Sequence, residues 1–310
     1  METLLQQIVN GLVVGSVYAL VALGYTMVYG ILGLINFAHG DILMVGAMVA
    51  LQAILFAQKT WPHLPALVHL AIGLAVAVPA CMLLGYTIER TAYRRLRNAP
   101  RLAPLITAIG VSFLLQTIAM IIWGRNYYSY PQLISTVPYQ PIEGVFITPV
   151  QVAILVVSAL LMAALMLLVN RTKMGRAMRA TAENHRVASL MGVDTNRIIA
   201  TTFVIGSALA AVAGVMFSSN YGISHYSMGF TPGLKAFTAA VLGGIGNLPG
   251  AMLGGIVLGL VESIGAGYID KWSFGFLNSS YQDIFAFMIL GAVLIFRPTG
   301  LLGERVADRA

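Results

Sequence analysis

Five stretches of this chain, 8–30, 66–88, 103–123, 148–169 and 198–218, are almost continuously apolar. Each has the roughly 20 residues a helix needs to cross the hydrocarbon core of a bilayer. Four shorter runs, 42–58, 234–248, 250–266 and 282–296, leave room for spans that are tilted, broken or re-entrant. Irregular backbone at membrane depth is tolerated where protein or water satisfies it. Only 9% of the residues are charged, against about 25% in soluble domains. So few charges cannot cover a globule of 310 residues, and lipid must be the solvent. The expected fold is an all-α integral membrane protein. It is a polytopic helical bundle of nine apolar segments, within a range of eight to ten, some short or broken, in one domain over 1–310.

The formal charge is +7, and its placement orients the chain. Arg90, Arg94, Arg95, Arg97 and Arg101 fall in one short loop, 89–101. Arg171, Lys173, Arg176, Arg179, Arg186 and Arg197 fall in a long one, 171–198, and Arg297, Arg305 and Arg309 fall in the tail. These regions hold 14 of the 18 basic residues. The positive-inside bias therefore puts both loops and the C-terminus in the cytoplasm and the N-terminus outside. Interleaved spans explain the basic clusters better than nucleic acid does, so the expected surface partner is membrane lipid. The opening METLLQQIVNG lacks the positive n-region of a cleavable signal, and the first span is expected to be retained. The segment 124–147, with four Tyr and three Pro, suits an interfacial belt on the outer side. It is too small for a receptor domain, so solute selection would fall to a separate partner.

The chain lacks GxxxxGK[ST], HExxH and GxSxG patterns. No two of His39, His63, His69, His185 and His225 stand four apart, so no metal site is expected. Cys81 is the only cysteine, which excludes an internal disulfide or zinc framework. It reads as a small buried hydrophobe. These absences point away from an enzyme and from ATP hydrolysis within this chain.

Three polar interruptions remain. In Ile35-Asn36-Phe37-Ala38-His39-Gly40-Asp41, one reading is a cytoplasmic turn. Gly40 then gives backbone freedom and Asp41 caps a helix starting at Ile42. The other places Asn36 and His39 on a polar path through the membrane, and the two are compatible. The run Gly243-Gly244-Ile245-Gly246-Asn247-Leu248-Pro249-Gly250 lacks the strand–turn–helix setting of a dinucleotide site. It reads as a tight break between two short helices. Gly250/Gly254 and Gly255/Gly259 act as small-xxx-small packing pairs, in preference to a gating hinge. Lys235 and Glu262 either snorkel or face an aqueous path.

The long loop predicts one amphipathic helix, with Ala180, Val187, Leu190 and Met191 on a stripe and Gly192 as its stop. Asp194 or Thr195 then caps the next span. Glu183 falls on the stripe and asks for a basic partner. Lipid headgroups and a docking protein fit this helix equally.

Several motifs together resemble the LivH-type permease family of high-affinity branched-chain amino acid ABC importers. These are Asn-Phe-Ala-His-Gly at 36–40, GRAMRATAE at 175–183, LMGV at 190–193, TTFVIGSALAAVAGVM at 201–216 and KAFTAAVLGGIGNLPGAMLGG at 235–255. The likeness is colinear from about residue 8 to Gly303. It implies a non-catalytic, multi-pass permease subunit of the bacterial inner membrane. A second permease subunit (LivM-like, or a second copy of this chain), two cytoplasmic ATPases (LivG/LivF-like) and a periplasmic amino-acid-binding protein would complete the system. ATP and Mg would belong to the ATPases, with no cofactor on this chain. The resemblance makes the long loop a coupling segment, with Ala182, Glu183, Asn184, Arg186, Ala188 and Gly192 at the ATPase. The older Glu-Ala-Ala loop signature is absent. Asn36, His39, Asp41 and Glu262 are the expected path residues, and Gly243, Gly244, Gly246, Gly250 and Gly254 the break and packing residues. Leucine, isoleucine and valine are the implied substrates; another amino acid, urea or an amide is the alternative. An ion-coupled secondary transporter, with Glu262 essential, or an intramembrane enzyme would be a different class altogether.

Overall fold

A computed structural model describes residues 2–97, 99–100, 102–142, 144–273, 275–276, 278–297 and 299–303. Arg101, Arg305 and Arg309 lie outside the described residues. The helices are α1 (Glu2–Leu32), α2 (His39–Thr60), α3 (Ala66–Ile88), α4 (Leu102–Trp123), α5 (Pro149–Arg171) and α6 (Lys173–Glu183). They continue with α7 (His185–Leu190), α8 (Thr195–Tyr221), α9 (Phe230–Gly243), α10 (Leu248–Trp272) and α11 (Asp283–Phe296). Two short antiparallel ladders join connecting segments: β1 (Tyr128–Ser129) with β4 (Ile223–Ser224), and β2 (Tyr139–Ile142) with β3 (Val145–Ile147).

Among the described residues, eight helices are long and apolar enough to cross a membrane. The ninth apolar segment, α9, has 14 residues and rises only about 21 Å at 1.5 Å per residue. Two expected short spans are full-length. The runs 42–58 and 250–266 lie inside α2 and α10, of 22 and 25 residues. Polar residues at their ends, such as His39, Lys59 and Asp270, remain helical, so the apolar run understates the helix.

The two basic loops also differ from expectation. Residues 89–96 continue α3 as one π turn (Glu89–Tyr93) and one 3-10 turn (Arg94–Leu96). Buried Glu89 pairs there with Arg97, and the Tyr93 hydroxyl donates to Asn36 Oδ1 at 2.9 Å, which holds the turns against the bundle. The long loop folds as two helices, α6 and α7. Asn184 breaks it because its side chain accepts from the amides of Arg186 and Val187, at 3.0 and 3.1 Å. That cap competes with continued helix, and the single stripe through Ala180, Val187, Leu190 and Met191 is lost. Gly192 does follow α7, with φ 85°, and Asp194 caps α8 by accepting from the Arg197 amide.

The first helix forms the centre of the bundle. Its apolar stretch is 89% buried, against 6% for the last span. It packs along α10 through glycines: a Cβ on Gly259 would lie 2.4 Å from Gly15 Cα, and one on Gly255 would lie 2.5 Å from Ala19 Cα. In lipid there is little hydrophobic force between helices, so such backbone approach is what binds them. Helices α3, α4, α5 and α11 each leave an apolar face open, as at Ile106, Ile121 and Ile295.

The connections sort to two ends. At one, Gln6 exchanges hydrogen bonds with the backbone of Phe146, and β1 meets β4. At the other, Arg97 donates to Asn196, Arg179 to the Val169 carbonyl, and the tail amides of Leu301 and Leu302 to the carbonyls of Leu242 and Gly243. The described basic residues of the three charged regions therefore gather at one end.

Candidate functional site

The Asn36–Asp41 segment turns back into the bundle instead of lying on its surface. Asn36, His39 and Asp41 are all buried. His39 stacks edge-on against Tyr25, with ring centroids 5.0 Å apart. Its imidazole occupies the space above Gly24, where a Cβ would lie 2.1 Å from Nε2. Asn36 Nδ2 and His39 Nε2 are buried and have no hydrogen-bond partner among the described residues.

The capping role expected of Asp41 is not what the structure has. Helix α2 begins at His39, three residues before the expected Ile42, and its N-cap Ala38 makes no side-chain cap. Asp41 points inward and accepts from Gln116 Nε2 of α4 at 3.0 Å, since a buried carboxylate needs a donor. Gly40 is likewise helical rather than a turn. It lets α2 touch the entry and first turn of α9: a Cβ there would lie 2.6 Å from the Gly229 carbonyl oxygen and 2.8 Å from Gly233 Cα.

Lys235 and Glu262 do not snorkel apart; they meet. Lys235 Nζ lies 2.5 Å from Glu262 Oε1 and 2.7 Å from Asp283 Oδ1. The Tyr18 hydroxyl reaches the same Glu262 oxygen at 3.4 Å. This cluster stands beside a cavity of 490 Å3 whose wall includes Tyr18, Gln116, His225, Thr231, Lys235 and Asp283. That volume is within the ~300–1,000 Å3 of small-molecule sites. Residues 225–232, the connection into α9 and its first turn, supply much of the lining. A second cavity of 260 Å3 shares Phe230 with the first and is walled by Tyr25, Phe37, Gly40 and Ser112. Irregular backbone and a half-length helix beside such space follow the rule that broken spans line cavities.

Of the path residues expected from sequence, none forms the wall of either cavity. Asp41 and Glu262 stand one layer behind it, each bonded to a residue of the larger cavity's wall, Gln116 and Lys235. His39 packs behind Tyr25 of the second cavity's wall, and Asn36 accepts from the Tyr93 hydroxyl. Sequence reasoning missed Gln116, Asp283 and Gly24. Gln116 had a usable signal, an amide within the uncharged run 103–123.

The glycine break is sharp. Gly244 and Gly246 have φ of 107° and 96°, and Asn247 caps α10 by accepting from the Gly250 amide at 2.9 Å. Gly243, Gly250 and Gly254 permit contact between α9 and α10: a Cβ on Gly254 would lie 2.0 Å from the Ala239 carbonyl oxygen. The helices it joins are one short and one full-length, not two short ones. At the basic end of the bundle, α6 and α7 bury Gly175, Met178, Thr181 and Ala188. Ala182, Glu183, Asn184, Arg186 and Gly192 are exposed, as are Val187, Leu190 and Met191.

A many-span helical bundle, with a ligand-sized cavity flanked by a buried charge cluster, has the architecture of a membrane transport protein. The chain belongs to the family of branched-chain amino acid transport system permease components, which matches residues 7–295. It is 48% identical, over 98% of its length and 97% of the relative's, to the high-affinity branched-chain amino acid transport permease BraD of Pseudomonas aeruginosa. It is 44% identical, over the same shares, to LivH of Escherichia coli K12. A probable LivH of Methanocaldococcus jannaschii is 28% identical over 95% of this chain and 91% of its own. No solved structure matches. The chain is a permease subunit and a multi-pass protein of the inner membrane.

Proposed function

We propose that this chain is the pore-forming subunit of an ATP-driven importer for leucine, isoleucine and valine. The observation that carries this reading is its 48% identity, over nearly all of both chains, to a permease named for high-affinity branched-chain amino acid transport. In this reading the basic end faces the cytoplasm and the N-terminus and residues 124–147 face the periplasm. A LivM-like second permease subunit completes the pore. Two LivG/LivF-like ATPases hold ATP and Mg, and a periplasmic protein delivers the amino acid.

Helices α6 and α7 receive the ATPase stroke. Exposed Val187, Leu190 and Met191 offer apolar contact, and Glu183 an acidic one, to a groove on the ATPase. The motion has a path inward, because the Arg179 side chain donates to the Val169 carbonyl at the end of α5. Buried Met178 packs into the main core beside α1. Closing and opening the ATPase pair then biases the bundle between two arrangements that face opposite sides of the membrane.

The test is reconstitution in liposomes. Leucine uptake should require all partners and internal or external ATP on the ATPase side. Uptake by this chain alone, or none by the complete assembly, would sink the reading.

A further inference from the structure

The charge cluster at the larger cavity is unbalanced. One lysine lies between two carboxylates, Glu262 and Asp283, so with all three ionised the cluster holds one negative charge in excess. The side chains of Lys235 and Glu262 are only 5% and 6% exposed, whereas that of Asp283 is 42% exposed. The cavity wall presents Asp283 and Lys235, and among the described residues that line it there is no second Lys or Arg. Glu262 Oε2 is buried and has no hydrogen-bond partner among the described residues. A purely structural pair would be one cation with one anion. The extra carboxylate, on the open side, asks for a cation from the cavity.

The same wall offers the opposite charge a short distance along the chain. Helix α9 begins at the cavity, where Phe230, Thr231 and Pro232 of its first turn form part of the lining. Of its first amides, that of Phe230 donates to the Ser227 carbonyl and that of Gly233 to the Gly229 carbonyl, Pro232 has no N–H, and the N-cap Gly229 has no side chain to offer Thr231. The Thr231 amide and the positive end of the helix dipole favour an anion. Apolar groups, Phe217, Ile223 and Met228, stand in the rest of the wall. A cation, an anion and a hydrocarbon group on one small molecule describe an apolar amino acid as a zwitterion.

We propose that Asp283 receives the α-ammonium group of the transported amino acid, while Lys235 and the first turn of α9 take its α-carboxylate. This rests on the reading of the chain as an amino-acid importer. Asp283 acts as a substrate-binding residue of the permease, separate from the selectivity of the delivery protein.

The experiment uses the complete importer in liposomes, with leucine. Asp283→Asn should lower leucine uptake about tenfold or more, the factor for losing one charge-assisted hydrogen bond. ATPase turnover stimulated by the binding protein should persist, and Asp283→Glu should restore uptake. A second variant, Gln282→Cys, places a thiol on the same wall, and the one native cysteine, Cys81, is buried. Leucine should slow labelling of that thiol by a charged maleimide, and should fail to do so when Asp283→Asn is added. Wild-type uptake by Asp283→Asn would overturn the proposal. So would parallel loss of uptake and ATPase stimulation that Asp283→Glu leaves unrestored, or labelling of Gln282→Cys unaffected by leucine. If the unmodified importer moves no leucine at all, it is the importer reading that fails.

Discussion

Replacing Lys235 by Met tests whether the buried cluster is an ionised network. Lys235 and Glu262 are both about 5% exposed, and their charged atoms are 2.5 Å apart. Methionine keeps most of the volume and removes the charge, so little cavity is created. Both Glu262 and Asp283 then lose their cation. Removing one partner of a buried pair costs about 3–5 kcal/mol, because the other is left uncompensated. Glu262→Gln should cost less, about 1.5–3 kcal/mol, since Lys235 keeps Asp283 at 2.7 Å. The double variant should lie closer to Glu262→Gln than to the sum, because Met beside Gln leaves no unpaired charge at that contact. The assay is SDS titration in mixed micelles, followed by circular dichroism, as a double-mutant cycle. A Lys235→Met protein within about 0.5 kcal/mol of the parent, or strictly additive variants, would refute the network.

Three other outcomes follow from the geometry. Gly24→Ala places a Cβ 2.1 Å from His39 Nε2 and should destabilise by about 1–3 kcal/mol; adding His39→Ala should recover most of it in the same titration. Gly259→Leu drives a side chain into Gly15 of α1, and the expected result is loss of folded protein from the membrane fraction. Glu183→Arg, on the exposed surface of α6, should leave the helical fold intact but weaken ATPase association. ATPase co-purification equal to that of the parent would remove Glu183 from the docking contact.

The spans were legible because lipid imposes a length and an apolar composition on each one separately. The grouping of the basic residues was legible for the same reason, and Arg97 beside Asn196 shows the two loops meeting. What could not be read were partnerships set by packing. Asp41 looks like a cap beside an apolar run, yet its donor Gln116 is 75 residues away. Lys235 and Glu262 each suggested a lone polar group, and only the close approach of α9 and α10 joins them across 27 residues. The long loop failed differently. Its stripe was a correct period count, but Asn184 offered the backbone a local alternative that periodicity ignores. Gly24 gave no signal of its own, because its role is to leave room for a ring that arrives from another segment.

The glycine seam between α1 and α10 sets an order for making the protein. Gly15 meets Gly255 and Gly259, about 240 residues later in the chain, and at about 5–20 residues per second that gap takes roughly 12–48 s to synthesise. Throughout that interval the helix destined for the centre of the bundle sits in the membrane without its main partner. Gly11, Gly15 and Ala19 are then open to lipid or to the wrong helix. A cell making this permease must shelter the first span until the tenth helix emerges, so mutations along the seam would show first as poor biogenesis rather than slow transport.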